Sequence, residues 1–143
     1  MENQHKAFMQ KCIELARISK NRGESPVGSV VVKDGKIIGE GIESVHARND
    51  FSFHAEIEAI RDASQHIGHC NLSGCTLFTT HEPCIMCSYI IRQTRIGRVV
   101  FGLSTGDIGG YHSELAVLKD KSVKKWNQPP EVIAGFMQEE CKV

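Results

Sequence analysis

The sequence predicts an α/β fold, a mixed sheet with helices on both faces. Three observations lead there. Ala7, Phe8, Cys12, Leu15, Ala16 and Ser19 recur at helical spacing near the start of the chain. Asp34-Gly35 separates two strand-like runs and is a strong tight-hairpin signal. After the hairpin, helix-like and strand-like stretches alternate to the end. The resulting order, α-β-β-α-β-α-β-α-β, calls for parallel pairing beside the antiparallel hairpin, with helices covering both faces.

In chain order, the first helix covers residues 4–21 and Gly23 ends it. The hairpin strands are 27–33 and 36–43, followed by a polar loop at 44–52. Ile57, Ile60, Ala63 and Ile67 mark a second helix, closed by Gly68. Residues 76–80 read as a short buried strand, and Pro83 suits the start of a third helix at 84–93. Another strand is expected at 98–102, then a glycine-rich loop at 103–111 and a fourth helix at 112–119. Pro129-Pro130 precedes a last strand at 131–136, with a short terminal helix after it.

At 143 residues the chain suits one domain, read as residues 1–143, and no repeat or linker interrupts it. Lys plus Arg equals Asp plus Glu, 17 each, so net charge gives no push toward nucleic acid. Apolar runs fall far short of the ~20 residues of a membrane span, and the first residues do not resemble a secretory signal. A cytoplasmic protein that does not enter membranes is expected. There are six cysteines. In an intracellular chain these point to metal binding or burial rather than disulfides, and Cys12 and Cys141 read as buried thiols.

Cys84 and Cys87 carry the chemistry with His54 and Glu56. Residues three apart on a helix share a face, so both sulfurs can reach one ion. The helix N-terminus favours their thiolate forms. Two thiolates and an imidazole suit one Zn2+ per chain and leave the fourth tetrahedral position open, as catalytic sites do. Zinc lowers the pKa of bound water to about 7, and Glu56, two residues past His54, is placed to move the protons. A redox Cys-x-x-Cys pair leaves the histidine unused. A structural four-ligand site recruiting Cys70 or Cys75 leaves Glu56 unexplained.

Histidine-x-glutamate followed by proline-cysteine-x-x-cysteine is the signature of zinc deaminases. The chain resembles the cytidine deaminase-like superfamily, and within it the branch of guanine deaminases, cytosine deaminases and tRNA adenosine deaminases. The likeness runs through Pro26-Val27-Gly28, residues 30–33 and 38–41, His54-Ala55-Glu56-Ile57, residues 77–80, Glu82-Pro83-Cys84, Met86-Cys87 and residues 96–102. It implies a three-layer α/β/α sandwich with a five-stranded mixed sheet in order 2-1-3-4-5, and a homodimer or higher oligomer. It also implies that His54, Cys84 and Cys87 hold zinc and Glu56 shuttles protons. The Ala55 amide would contact the substrate, and Pro26 and Val27 would wall its pocket.

Glu43 departs from the pattern, standing where these relatives carry a substrate-reading asparagine. Ionised glutamate only accepts hydrogen bonds, so it reads either as a solvent-facing side chain on a shifted loop or as the mark of a donor-bearing substrate. Phe51 and Phe53 replace the usual proline and threonine before His54, and either line the pocket or pack in the core. His46, His81, Asp107 and His112 are loop residues within possible reach of it.

The C-terminal part looks more like the tRNA adenosine deaminases than the guanine deaminases. The chain lacks that group's longer basic terminal helix, and the glycine-rich loop lacks its basic residues. Lys119, Lys121, Lys124, Lys125, Arg92, Arg95 and Arg98 read as a solvated face. The expectation is therefore a hydrolytic deaminase of a nucleobase-like small molecule in purine metabolism. The alternatives are tRNA adenosine deamination and a non-catalytic zinc-stabilised module.

Overall fold

The computed structural model describes residues 2–143. Helix α1 (Glu2–Asn21) leads into strands β1 (Gly28–Lys33) and β2 (Lys36–Ile42). A four-residue helix α2 (Val45–Arg48) and helix α3 (Ala55–Ile67) follow. Then come β3 (Thr76–His81), α4 (Ile85–Thr94), β4 (Arg98–Leu103) and β5 (Glu131–Ile133). Strands lie in the order β2-β1-β3-β4-β5. β1 pairs antiparallel with β2 and β3, while β3–β4 and β4–β5 are parallel. This is the mixed five-stranded sheet expected.

Two apolar clusters make the layers. On one face, Met9, Cys12, Ile13 and Leu15 of α1 meet Val30, Val32, Phe78 and Val100, with Cys141 from the C-terminal segment. On the other, Ala59, Ile60 and Ala63 of α3 and Ile91 of α4 meet Val31, Leu77, Val99 and Phe101. Alternate residues of β1 thus serve opposite faces, as the two-residue period of a strand requires. Asp34 and Gly35 both have positive φ, 51° and 75°, which the tight hairpin demands. At Gly41 a Cβ would collide with the Ala55 carbonyl oxygen, so glycine lets the first turn of α3 lie directly on β2.

Several boundaries differ from expectation. The polar loop contains α2, whose first turn is held by Glu24: its carboxylate accepts from the amides of His46 and Ala47 at 2.9 and 2.7 Å. No helix forms at 112–119. The backbone there is turns, stapled by the Arg92 guanidinium, which donates to the carbonyls of Val117 and Asp120 at 2.6 and 2.8 Å. A buried side chain competing for these carbonyls overrides helical periodicity. Turns also replace the terminal helix, with Cys141 buried among them. Two 3-10 turns, Gly106–Ile108 and Lys124–Trp126, were not expected, and β5 is three residues long.

Candidate active site

Two helix N-termini converge on one spot. His54 is the N-cap of α3 and Cys84 the N-cap of α4. Cys87 lies one turn into α4, its amide donating to Cys84 Sγ at 3.5 Å. Cys84 Sγ, Cys87 Sγ and His54 Nδ1 stand 3.5 Å from one another in all three pairs. A tetrahedral zinc with bonds of about 2.3 Å to sulfur and about 2.0–2.1 Å to nitrogen sets its donors roughly 3.6–3.8 Å apart. The triangle fits zinc with only a slight spread of the side chains.

The donors' protons point the same way. The hydrogen bond to Cys84 raises His54 to about 9, against burial that lowers it. The hydrogen bond from Cys87 lowers Cys84 to about 4, while the same bond and burial push the Cys87 thiol well up. Without a cation the three groups share protons at close quarters, and a dication displaces them. Cys70 is exposed and Cys75 is packed in the core, so neither joins this donor set. Among the described residues the candidate metal group is His54, Cys84 and Cys87.

Glu56, in the first turn of α3, is 4% exposed, and burial raises its carboxyl to about 8. Carboxylate oxygens of Glu43 and Glu56 and a ring nitrogen of His54 all lie within 4.8 Å of one another. A cavity of about 360 Å³ opens over this cluster, walled by Pro26, Val27, Glu43, His54, Glu56 and Cys84 together with Ser25, His81, Glu82, Thr105 and Ile108. It lies beyond the carboxyl ends of the parallel strands, where open α/β sheets place their ligands.

Several expected residues behave differently. The Ala55 amide is already engaged, donating to Glu43 Oε1 at 3.0 Å. Phe53 does not line the cavity; the guanidiniums of Arg48 and Arg61 lie over its ring, 5.1 and 4.6 Å from its centre. Phe51 is 81% exposed. Of the four loop residues considered, His81 alone lines the cavity. His112 instead bonds Glu82. Arg92 is buried against Trp126 and Arg98 pairs with Glu131, so neither contributes a free cation to a basic face.

Glu82 has a role that the sequence reading did not assign. Its buried carboxylate accepts from the amides of Thr105, Tyr111 and His112 at 3.1, 2.9 and 2.8 Å and from the Ser104 hydroxyl at 3.1 Å. Burial pushes its pKa up, but these bonds outweigh it and the net shift is down. Gly109 and Gly110 leave no room for a Cβ against Glu82 and Ser88, and the Gly110 amide donates to the Pro83 carbonyl at 2.8 Å. The loop supplying Thr105 and Ile108 is thereby fastened to the Pro83-Cys84 segment. The available signal was a lone acid between an apolar strand and Pro83, with two small residues downstream.

Residues 2–103 match the cytidine and deoxycytidylate deaminase zinc-binding region. The chain belongs to this deaminase family and is a zinc-dependent hydrolytic deaminase. It is 39% identical over 134 residues to a tRNA-specific adenosine deaminase of Streptococcus pyogenes serotype M1, covering 94% of this chain and 77% of that one. A solved structure from studies of A-to-I editing by tRNA:A34 deaminases superimposes with TM-score 0.88 at 32% identity, over 95% of this chain and 96% of that one. Guanine deaminase from Bacillus subtilis is 40% identical, with TM-score 0.68, over 70% of this chain and 64% of that one.

Proposed function

We propose that this protein deaminates adenosine to inosine in tRNA, at the wobble position. The observation that carries this reading is the extent of the likeness to tRNA adenosine deaminases, which spans nearly the whole chain in sequence and backbone. The guanine deaminase matches over a smaller share. This reverses the preference for a small substrate that charge balance suggested. Formal charge overlooks local cations: the Arg48 guanidinium lies over Phe53, immediately before His54, and Phe51 is exposed two residues earlier. Aromatic rings with guanidiniums are a common platform for single-stranded bases.

In this reading His54, Cys84 and Cys87 hold one zinc ion, and residues 1–143 act as one deaminase domain. Zinc, when bound there, supplies Lewis acidity that makes water nucleophilic near neutral pH. Glu56 takes a proton from the attacking water as the new C–O bond forms at C6 of adenine. It relays protons to the ring and the departing nitrogen, the C–N bond breaks, and ammonia leaves as the carbonyl of inosine forms. Pro26, Val27 and Ile108 give the base apolar walls, and the Glu82-bound loop holds Thr105 at its edge.

A tRNA substrate supports a cytoplasmic location, and among the described residues no helix is long and apolar enough to cross a membrane. The test is an anticodon stem-loop RNA with adenosine at the wobble position, incubated with zinc-loaded protein. Inosine and ammonia in equal amounts are expected. Guanine turned over with the RNA untouched would favour the small-molecule alternative.

A further inference from the structure

Acceptors crowd the cavity wall. Glu43, Glu56 and Glu82 bring carboxylates to it. Two donors beside them are spent: the Ala55 amide on Glu43 Oε1 at 3.0 Å, and the Thr105 hydroxyl on the Glu82 carbonyl at 3.2 Å. A purine base presents acceptors of its own along its ring edges. A wall that holds it needs a donor, and His81 at the end of β3 supplies one.

Hydrogen bonds decide which ring nitrogen of His81 carries the proton. Thr80, the residue before it, is fully buried. Its Oγ1 accepts from the Gly28 amide at 3.3 Å and lies 3.0 Å from His81 Nδ1. A buried hydroxyl proton needs an acceptor, and among the described residues Nδ1 is the one that Thr80 has. The hydroxyl therefore donates to Nδ1, which must be bare. Burial lowers the pKa of His81 and keeps the ring neutral near neutral pH. A neutral ring with a bare Nδ1 carries its proton on Nε2. Nε2 has no partner among the described residues and is not sealed inside the protein, so its N–H is open to the cavity that His81 lines.

We infer that His81 is a specificity-determining residue whose Nε2–H donates to a ring nitrogen of the purine, with Thr80 a positioning residue that holds its tautomer. Adenine leaves N3 and N7 for this bond, since N1 takes a proton in the reaction. The inference rests on the reading of the substrate as adenosine in tRNA.

The experiment reads the tautomer first. Ring-nitrogen NMR shifts of His81 in zinc-loaded protein should show Nδ1 bare and Nε2 protonated, a preference that Thr80→Val weakens. A protonated Nδ1 in wild type would overturn the inference. Wild type, His81→Leu and His81→Gln are then assayed, with zinc content measured, on the wobble-adenosine stem-loop and on the same RNA carrying 3-deazaadenosine or 7-deazaadenosine there. Wild type should lose about tenfold in kcat/KM on one of the two analogues, the scale of one hydrogen bond. His81→Leu should lose about tenfold on adenosine and nothing further on that analogue, and His81→Gln, which keeps a donor, should recover part of the loss. Equal rates of wild type and His81→Leu on adenosine, or an analogue penalty that His81→Leu keeps in full, would overturn it. Guanine with its 3-deaza and 7-deaza forms makes a separate arm. If guanine reacts, the RNA does not, and the same dependence on His81 appears, the donor role stands and the tRNA reading fails.

Discussion

Glu56 shows how much of this site depends on single side chains. Its carboxyl is buried beside Glu43 and the donor triangle, and burial is what lifts its pKa to about 8. Replacing it with alanine removes the proton relay and leaves the three donors in place. Glu56→Ala should retain one zinc per chain by elemental analysis and lose at least about 100-fold in kcat, within the range of general acid–base catalysis. Loss of zinc instead would make Glu56 a ligand or a support. Cys87→Ala should fail differently, losing zinc itself. His54, Glu56, Cys84 and Cys87 were all legible in the sequence, because ligand chemistry fixes residue type and helix geometry fixes spacing. The Ala55–Glu43 hydrogen bond was not, because it joins the end of one strand to the start of a helix twelve residues on. Phe53 stands outside the cavity, with the guanidiniums of Arg48 and Arg61 over its ring.

At the scale of elements, the loop between β4 and β5 is the least sequence-like part of the fold. Helical periodicity suggested a helix at 112–119, and side chains from elsewhere decided otherwise. Arg92 occupies its carbonyls, and Glu82 gathers the amides just before it. Glu82 also confers a pH dependence. Its folded pKa is net lowered, so its stabilisation is complete above the ordinary carboxylate range and lost as pH falls through the lowered value. Acid titration of thermal stability should show a drop in wild type that is smaller in Glu82→Gln. Identical profiles would mean that the carboxylate does not anchor the loop. Glu82→Gln should also raise KM more than it lowers kcat, since the loop it holds supplies Thr105 and Ile108 to the cavity wall while Glu56 stands on α3. In the segment just before His54, Phe51→Ala should weaken stem-loop binding several-fold without changing zinc content, as loss of an exposed base-stacking surface would.

For the whole molecule, two apolar clusters on either face of a five-stranded sheet hold the layers together without help from the metal. Chelation should therefore abolish activity and lower the melting temperature, because zinc binds only the folded state, yet leave the far-ultraviolet dichroism folded-like. Collapse of the spectrum on chelation would make zinc a folding requirement. The layer order was legible because alternating strand and helix signals leave few topologies for a chain of this size. Substrate class is less legible, since the three metal donors and Glu56 set the reaction and leave the ring it acts on open. Met86 and Tyr89 on α4 are exposed apolar residues, and a homodimer that covers this helix is the expectation to test. Sedimentation should give a dimer, shifted toward monomer by Tyr89→Asp.

The most direct measurement is inosine formation at the wobble position of an anticodon stem-loop RNA by zinc-loaded wild type and Glu56→Ala. Wild type should convert adenosine to inosine with one ammonia released per conversion, and the zinc-retaining variant should not. Unconverted RNA with wild type, or conversion that survives in Glu56→Ala, would contradict a zinc deaminase of tRNA adenosine that works through Glu56.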